Sequence, residues 1–265
     1  MAKQINFYNS TYGNFEEQIM AEIRSEIYGE DIGQNSWITA EEYDEFYGWL
    51  RLSPHAHVLE VASGSGGPSL YLARKFGCRI TGIDINENGI EQANKAAQAA
   101  DVSGATYMLA DVSQRLPFED DTFDAVMCMD SMNHFPDRLG VLREWRRVLK
   151  SGGRIVFTDP VVITGPVTNE ELAARSSIGF FIFMPLDWTE RLIAESGLRL
   201  IQRTDVTANI ELTSGRRYAA RAQRREALIK IEGEELFEGM QKFASTVHAL
   251  TSERRLSRFV FLAVK

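Results

Sequence analysis

The sequence VLEVASGSGGPSLYLA at positions 58–73 runs from a short apolar segment through three glycines directly into a helix-forming segment. Glycine permits positive φ angles and close backbone approach, so Gly64, Gly66 and Gly67 predict a tight strand-to-helix turn that a ligand can touch. Pro68 suits the first turn of the helix that follows. Turns of this kind bind dinucleotides or phosphates, or simply pack closely, and the turn alone does not distinguish these roles.

Short apolar segments alternate with helix-forming segments from Pro54 onward. This alternation predicts an α/β fold with right-handed crossovers and a doubly wound, mostly parallel sheet covered on both faces. In the last third, a strand, a long helical insertion and a closing strand predict an antiparallel pair at the sheet edge. The predicted strands are His57–Ala62, Arg79–Ile85, Ala105–Asp111, Phe123–Asp130, Arg154–Asp159, Leu198–Thr207 and Leu256–Val264. Helices are predicted within residues 1–52 and at Pro68–Phe76, Glu87–Ala100, Asp137–Leu149, Trp188–Ser196 and Arg216–Leu250.

The composition argues against several classes of function. The formal net charge is -8, whereas proteins that bind DNA or RNA generally present a basic face. The one basic stretch, Gly215–Lys230, is predicted to be a solvated helix face. No apolar run is long enough to span a membrane, and the N-terminus lacks a basic region followed by an apolar core. We therefore expect a soluble, cytoplasmic protein with no nucleic-acid or membrane partner.

The cysteines and histidines give no sign of a disulfide or a metal site. Cys78 and Cys128 lie in or beside apolar strands, where a free thiol behaves as a small hydrophobic group. His55 and His57 share one strand face, but no third ligand is near them in sequence. We therefore expect no bound metal.

Two acidic residues at predicted strand ends favour a ligand that contains a nucleoside. Asp84 ends the second strand, where its carboxylate can accept hydrogen bonds from both hydroxyls of a ribose, or can instead cap the next helix. Asp111 ends the third strand on the same edge, where it can accept a hydrogen bond from an adenine amino group. Ser69 stands where the dinucleotide fingerprint requires its third glycine, which disfavours NAD.

Four motifs resemble, in order and spacing, those of the class I S-adenosylmethionine-dependent methyltransferases: VLEVASGSGG, GIDI, ADVSQRLPFEDDTFDAV and RVLKSGGRIVFTDP. Within that family the chain is similar to small-molecule enzymes that methylate glycine and sarcosine, phosphoethanolamine and quinone precursors. The resemblance implies a Rossmann-like sheet of seven strands, with S-adenosylmethionine as cofactor and S-adenosylhomocysteine as product. It also implies one domain, residues 1–265, divided into an N-terminal helical lid (1–52), a cofactor-binding core (53–160) and substrate-side insertions with the closing strands (161–265).

The resemblance assigns each motif to a part of the cofactor. Asp84 and Ile85 are expected at the ribose, and Asp111 with the Val112 backbone at the adenine. The residues expected around the methionine part are Glu60, Ala62, Ser63, Gly64 and Gly66, with Met129 and Asp130 on the other side.

Two further features concern how closely the protein approaches the cofactor. Ala62 stands where the family usually has a glycine, and its methyl group is tolerated if its φ angle is negative. The segment GEDIGQNSWIT resembles a segment that folds over the cofactor in related enzymes, so we expect Gln34, Ser36 and Trp37 to form a lid. Tyr8 and Tyr12 either close the same pocket or simply pack within a helix.

Methyl transfer is an in-line displacement, so the protein must align the acceptor atom with the methyl group and exclude water. His134 is the candidate base, or else it packs in the loop before a helix. Asp130 is expected to hydrogen-bond the cofactor or the substrate. Asp159 is a candidate for binding a cationic acceptor or assisting its deprotonation, although Asp before Pro160 also begins turns.

The acceptor is predicted only as a class. Apolar residues after the fifth strand are expected to form a lid over it or to pack on the sheet, namely Phe180, Phe181, Phe183, Met184 and Trp188. We expect a methyltransferase acting on N, O or C of a small-molecule metabolite. The alternatives are an NAD-dependent oxidoreductase on the same architecture and a protein that binds S-adenosylmethionine without catalysis. The sequence does not predict the oligomeric state.

Overall fold

The computed structural model describes residues 7–265, and of Phe7 it describes only the backbone. The strands are β1 His57–Val61, β2 Arg79–Asp84, β3 Ala105–Leu109, β4 Phe123–Cys128, β5 Leu149–Ile163, β6 Met184–Pro185, β7 Arg199–Asp205 and β8 Leu256–Val264. They form one sheet in the order β3-β2-β1-β4-β5-β8-β7, and the two-residue β6 pairs with the far end of β5.

The direction of the strands confirms the predicted sheet. Strands β3, β2, β1, β4 and β5 are parallel, whereas β8 runs antiparallel to both β5 and β7. The predicted strand ends agree to within two residues for most strands, but β5 is much longer than predicted. It begins with a bulge opposite Phe123 that contains Gly152 at a φ of 76°, and it continues beyond Asp159 to pair with β8.

Helices precede the first strand and lie between most of the later ones. They are α1 Phe7–Gly13, α2 Gln18–Tyr28, α3 Ala40–Leu50, α4 Gly67–Phe76, α5 Glu87–Ala99, α6 Arg138–Val148, α7 Asn169–Arg175, α8 Trp188–Glu195, α9 Thr207–Gln223, α10 Arg225–Glu232 and α11 Glu234–Ser252, with a single 3₁₀ turn at Met132–His134. The predicted helical insertion before the last strand is α9 to α11, which begins nine residues before the predicted Arg216. None of the helices in residues 7–265 has the length and apolar character needed to cross a bilayer.

Alternate strand residues face opposite layers of helices, as the period of a pleated strand requires. Val58 packs in a cluster with α3, α4 and α5, and its neighbour Leu59 packs in a second cluster with α6 and α8. Trp145 of α6 is fully buried in the second cluster. Both faces of the sheet are therefore covered, and its carboxyl edge is left for a binding site.

The N-terminal segment and the helical insertion meet above the carboxyl ends of the strands. Trp37 lies in a third apolar cluster with Ile210 of α9 and with Met240 and Phe243 of α11. Its backbone N–H donates to the carboxylate of Asp130, just beyond β4, over 2.9 Å. These contacts hold residues 33–38 over the sheet edge.

Candidate active site

The glycine turn after β1 is fixed by a carboxylate from the neighbouring strand. Asp84 accepts a hydrogen bond from the Gly64 N–H at 2.9 Å and another from the Asn86 N–H at 2.8 Å. Burial raises the pKa of this carboxyl group above its ordinary value. Each carboxylate oxygen retains a free acceptor position, so Asp84 can still accept from a ligand.

The three glycines of the turn serve different purposes. A side chain on Gly64 would overlap the hydroxyl of Tyr12 on α1, so Gly64 faces the pocket. A side chain on Gly66 would instead overlap the ring of Tyr107, and one on Gly67 would overlap the backbone of Gly33. Gly66, predicted to bind the cofactor, therefore packs behind the turn, and Gly67 lets the N-terminal segment approach.

Ala62 adopts a φ of 57°, so the condition under which its methyl group was expected to be tolerated is not met. In this left-handed region the Cβ atom crowds the following carbonyl, which costs about 1–2 kcal/mol for an L-residue other than glycine. The strained residue lies directly on the wall of the pockets described next. The turn thus retains an unfavourable conformation where a ligand would approach.

A cavity of about 550 Å³, called here the rim cavity, opens at the carboxyl ends of β1, β2 and β4. Its volume is within the usual range for small-molecule sites. The side chain of Ile85 is 73% exposed there, an apolar surface that a ligand could cover. The predicted site residues that line it are Ala62, Asp84, Ile85 and His134, joined by Tyr8, Asn9, Tyr12, Asn86, Ser131, Phe135, Ile178, Gly179 and Phe180.

A smaller space of about 80 Å³, the inner pocket, adjoins the rim cavity through Tyr8, Tyr12, Ala62 and Ser131. It is lined by most of the residues predicted to surround the methionine part of the cofactor, namely Glu60, Ala62, Ser63, Gly64, Met129 and Asp130, and by the predicted lid residue Ser36.

Glu60 dominates the polarity of the inner pocket. Tyr43 donates to one of its carboxylate oxygens at 3.2 Å, while the other oxygen and the Ser63 hydroxyl make no hydrogen bond with residues 7–265 although both are buried. Burial raises the pKa of Glu60 to about 7, against the opposing effect of the nearby Ser69 and Tyr43 hydroxyls. Buried polar atoms rarely lack a partner, so these two fit the amino-acid end of S-adenosylmethionine.

Besides Gly66, three predicted cofactor residues line neither space. The amide of Gln34 is buried and saturated by its own loop, since it accepts from the Ile32 N–H and donates to the Glu30 carbonyl. Gln34 therefore fixes the loop and is not placed as a ligand. Asp111 is exposed and accepts from the Ser113 N–H, and Val112 packs at the edge of an apolar cluster. Their contact with adenine remains a prediction.

A third space of about 40 Å³, the arginine chamber, lies beyond the inner pocket. Tyr8, Asn35, Ser36 and Asp130 line both spaces, and Tyr8 lines the rim cavity as well. The remaining residues of the chamber are Trp37, Asn133, His134, Pro160, Arg175, Ile178, Phe181, Arg217 and Phe243.

His134 lies between the rim cavity and the arginine chamber in a defined tautomer. Its Nδ1 is 2.8 Å from the carbonyl oxygen of Phe180, which can only accept, so Nδ1 carries the proton. In the neutral ring, Nε2 then accepts a hydrogen bond from the Tyr8 hydroxyl, and the two atoms are 2.9 Å apart. Burial lowers the pKa of His134 to about 4, so the ring is neutral near pH 7.

Asp130 is placed to organise the site more than to act on a substrate. Its buried carboxylate accepts from the hydroxyl of Thr158 at 2.8 Å, from Nε of Arg258 at 2.7 Å and from the backbone of Trp37. Arg258 is itself fully buried and also pairs with Glu42 of α3. This network joins β4, β5, β8 and the N-terminal segment, so it gives Asp130 a positioning role. Its hydrogen bond to the cofactor or the substrate remains a prediction.

Asp159 also has a structural setting. It is fully buried, forms an ion pair with Arg138 of α6 and lines none of the three spaces. Arg138 donates in addition to the Ile182 carbonyl at 2.7 Å. Because Asp159 is paired with Arg138 and lines none of these spaces, the predicted role in binding or deprotonating an acceptor does not fit its position.

The residues of the apolar segment after β5 do not all have the same setting. Some border the spaces, as a lid would, and others lie elsewhere. Phe180 is 56% exposed at the rim cavity, and Phe181 lines the arginine chamber. Met184 is buried in β6, and Trp188 lies at the surface.

The two arginines that line the chamber were not predicted from the sequence. Arg175 ends α7, whose start carries the capping box of Thr168 and Glu171. Arg217 belongs to the basic stretch predicted to be solvated, but it is buried against the N-terminal segment, and so is Arg221 nearby. A capping box predicts a helix but not which of its residues faces a pocket.

Comparisons with known proteins agree with this geometry. The family described as Methyltransferase domain matches residues 59–157. A 27-O-demethylrifamycin SV methyltransferase of Amycolatopsis mediterranei (strain S699) is 30% identical over 199 residues, which is 71% of this chain and 73% of that protein. A sarcosine/dimethylglycine N-methyltransferase of Halorhodospira halochloris is 37% identical over 42% of this chain and 40% of its own length. The structure of Haemonchus contortus phosphoethanolamine N-methyltransferase 2 in complex with S-adenosyl-L-methionine has a TM-score of 0.81 at 18% identity, covering 97% of this chain and 60% of that one.

Proposed function

This chain belongs to the class I S-adenosylmethionine-dependent methyltransferases, and from that premise we propose that it methylates an N, O or C atom of a small molecule. The observation that carries the proposal is the meeting of three spaces at Tyr8. The rim cavity suits a nucleoside, the inner pocket suits an amino acid and the arginine chamber is left for an acceptor. When bound, the cofactor supplies an electrophilic methyl group on a positively charged sulfur.

The residues proposed to hold the cofactor lie along the first two spaces. Asp84 accepts the ribose hydroxyls, and Ile85 provides an apolar contact beside it. Glu60 and Ser63 receive the amino-acid end, where the ionised Glu60 carboxylate favours an ammonium group. Binding of an ammonium group there would also lower the pKa of Glu60 from its value of about 7.

His134 and Tyr8 are proposed to orient the acceptor. With a pKa of about 4, His134 is a weak base near pH 7, but its Nε2 can accept a hydrogen bond from an acceptor N–H or O–H if the Tyr8 hydroxyl turns aside. An amine that binds in its neutral form requires only this orientation and the exclusion of water. The aromatic rings of Tyr8 and Phe181 exclude water at this position.

The related proteins support a small acceptor without fixing its identity. By their names, the relatives act on a rifamycin precursor and on sarcosine or dimethylglycine, and the structural neighbour acts on phosphoethanolamine. The chain spans 40% of the sarcosine enzyme and 60% of the phosphoethanolamine enzyme, so neither substrate transfers directly.

Calorimetric titration with S-adenosylhomocysteine and with NAD, side by side, tests the proposal. We expect S-adenosylhomocysteine to bind and NAD not to bind. Asp84→Ala should weaken the binding of S-adenosylhomocysteine about 10-fold or more, because charged hydrogen bonds to the ribose are lost. Glu91→Gln, an exposed change on α5, is the control and should leave the affinity unchanged. Binding of NAD alone would contradict the proposed function. Cofactor binding without methylation across an acceptor panel would favour a non-catalytic protein.

A further inference from the structure

Two of the buried arginines in residues 7–265 lack a carboxylate partner, and both line the arginine chamber. The buried arginines are Arg138, Arg175, Arg217, Arg221 and Arg258. Three of them form ion pairs, Arg138 with Asp159, Arg221 with Glu232 and Arg258 with Asp130 and Glu42. Arg175 and Arg217 form none within residues 7–265.

We propose that Arg175 binds the carboxylate group of the methyl acceptor, so that the substrate is a carboxylate-bearing small molecule. This inference rests on the proposed function, since it names the substrate class of the same site. One terminal nitrogen of the Arg175 guanidinium, Nη2, is buried without a hydrogen bond to any described residue. A buried charge without a partner is strongly unfavourable, and a ligand carboxylate would supply the missing partner.

Aromatic rings hold the Arg175 guanidinium in place. Its central carbon lies 4.9 Å from the ring centre of Phe181, 5.2 Å from that of Phe243 and 6.0 Å from that of Trp37. Burial lowers the pKa of Arg175 to about 10, so the side chain remains charged at neutral pH. Rings favour the cation electrostatically but give it no hydrogen-bond acceptor, which leaves its donors available for a ligand.

Arg217 reinforces the positive potential but is already anchored. Its Nη2 donates to the Tyr28 hydroxyl at 2.6 Å and to the Ser36 carbonyl at 3.1 Å, and its guanidinium lies 4.6 Å from the ring centre of Trp37. These acceptors are neutral, so its charge is not cancelled. The only carboxylate that lines the chamber among residues 7–265, that of Asp130, is paired with Arg258.

The shape of a carboxylate suits the chamber. The chamber is small, with a volume of about 40 Å³. Three heavy atoms suffice for a planar carboxylate, whose two oxygens match the donor spacing of a guanidinium. His134 lines the same chamber, so an acceptor anchored at Arg175 can present its nucleophilic atom near that ring.

Binding of acetate, acetamide and inorganic phosphate to the protein saturated with S-adenosylhomocysteine tests the inference, with ligand-observed NMR as the measurement. We expect acetate to bind and neutral acetamide not to bind. Arg175→Gln should weaken acetate binding about 10-fold or more, because a charged bidentate contact is lost. Arg143→Gln, an exposed change on α6, should leave it unchanged. Equal binding of acetamide, unchanged acetate binding in Arg175→Gln, or preferential binding of phosphate would overturn the inference.

Two further measurements separate a failure of this inference from a failure of the proposed function. The affinity for S-adenosylhomocysteine should be the same in wild type and Arg175→Gln. If wild type did not bind S-adenosylhomocysteine, the proposed function itself would be refuted.

The second measurement is thermal stability. Arg175→Gln should melt at the wild-type temperature or above, whereas Arg221→Gln, which leaves Glu232 without its partner, should melt lower. Arg175→Lys keeps the charge but not the planar geometry, so it should bind acetate with intermediate affinity. Melting of Arg175→Gln below Arg221→Gln would identify Arg175 as a structural cation and contradict the inference.

Discussion

On one side of Asp130 lies a network of buried charges with partners, and on the other side lies a chamber with buried charges that have none. In the network, Arg258 joins the carboxylates of Asp130 and Glu42. In the chamber, Arg175 and Arg217 meet only neutral acceptors and aromatic rings among the described residues. The two regions meet at Asp130, which lines the chamber and pairs with Arg258.

The difference distinguishes charges that organise the fold from charges reserved for a ligand. A buried ion pair fixes the relative position of the elements that carry it, here β4, β8 and α3. A buried charge without a partner destabilises the folded chain and persists where a ligand completes it. The same criterion applies to Glu60, whose second oxygen lacks a hydrogen bond with the described chain at the cofactor end.

The largest effect is expected from removing the central cation of the paired network. Arg258→Met would leave Asp130 and Glu42 as buried carboxylates without their cation, which costs about 3–5 kcal/mol of unfolding free energy. Equilibrium unfolding in urea measures this. The control is Arg143→Met on the exposed face of α6, expected within about 0.5 kcal/mol of wild type. A loss below about 1 kcal/mol in Arg258→Met would show that the network does not organise the fold.

One carboxylate oxygen of Glu60 lacks a hydrogen-bond partner, much as the chamber arginines lack a carboxylate partner. Glu60 therefore tests whether such a buried group destabilises the folded protein when it is charged. Its pKa is raised from 4.5 to about 7 in the folded protein, so the folded state binds the proton more tightly than the unfolded state. Its contribution to stability is therefore present at low pH and is lost as the pH rises from about 4.5 to about 7, by about 3 kcal/mol. Unfolding free energies of wild type and Glu60→Gln, measured from pH 5 to pH 8, should diverge accordingly. Parallel curves of unfolding free energy against pH would mean that the pKa of Glu60 is not raised in the folded protein.

His134 has a hydrogen-bond partner on each ring nitrogen, but it also lines the chamber proposed for the acceptor. It is therefore intermediate between the paired network and the chamber arginines. If it orients the acceptor, His134→Ala should lower kcat about 10-fold, the value of one neutral hydrogen bond, with unchanged affinity for S-adenosylhomocysteine. Tyr8→Phe should have a similar or smaller effect. Steady-state kinetics with an identified acceptor measures this. A loss of about 1,000-fold or more would instead indicate general-base catalysis.

The smallest effect concerns backbone strain in the turn after β1. Ala62→Gly should raise the unfolding free energy by about 1 kcal/mol or slightly less, because glycine accepts a φ of 57° without crowding. Ala96→Gly, in the interior of α5, is the opposite control and should lower it by about 0.5–1 kcal/mol. Chemical denaturation of the two variants gives the comparison. A destabilised Ala62→Gly would show that the methyl group packs favourably despite its conformation.

The cofactor side of the site could be predicted because its signals are local in sequence. Strand periodicity, the glycines and Asp84 lie within thirty residues, and the parallel sheet brings the strand ends together. Even there, local pattern could not tell that Gly66 faces Tyr107 or that Gln34 saturates its own loop. Those outcomes depend on what packs behind the turn.

The acceptor side could not be predicted because its residues come from distant parts of the chain. The basic stretch was expected to be solvated, but α9 packs against α2 and α11, and this buries Arg217. Arg175 reaches the chamber only because α7 follows the long β5 beyond Asp159. Asp130 lies just beyond β4 as predicted, whereas Asp159 lies inside the longer β5 and not at its end. Their partners Arg258 and Arg138 lie 128 and 21 residues away.

A crystal structure of the protein with S-adenosylhomocysteine and acetate tests most directly whether buried charges without partners mark the ligands. It should show the amino group of S-adenosylhomocysteine about 3 Å from the free oxygen of Glu60, the ribose hydroxyls at Asp84 and an acetate oxygen about 3 Å from Nη2 of Arg175. Acetate bound elsewhere, or S-adenosylhomocysteine bound without contact to Glu60 and Asp84, would contradict the account.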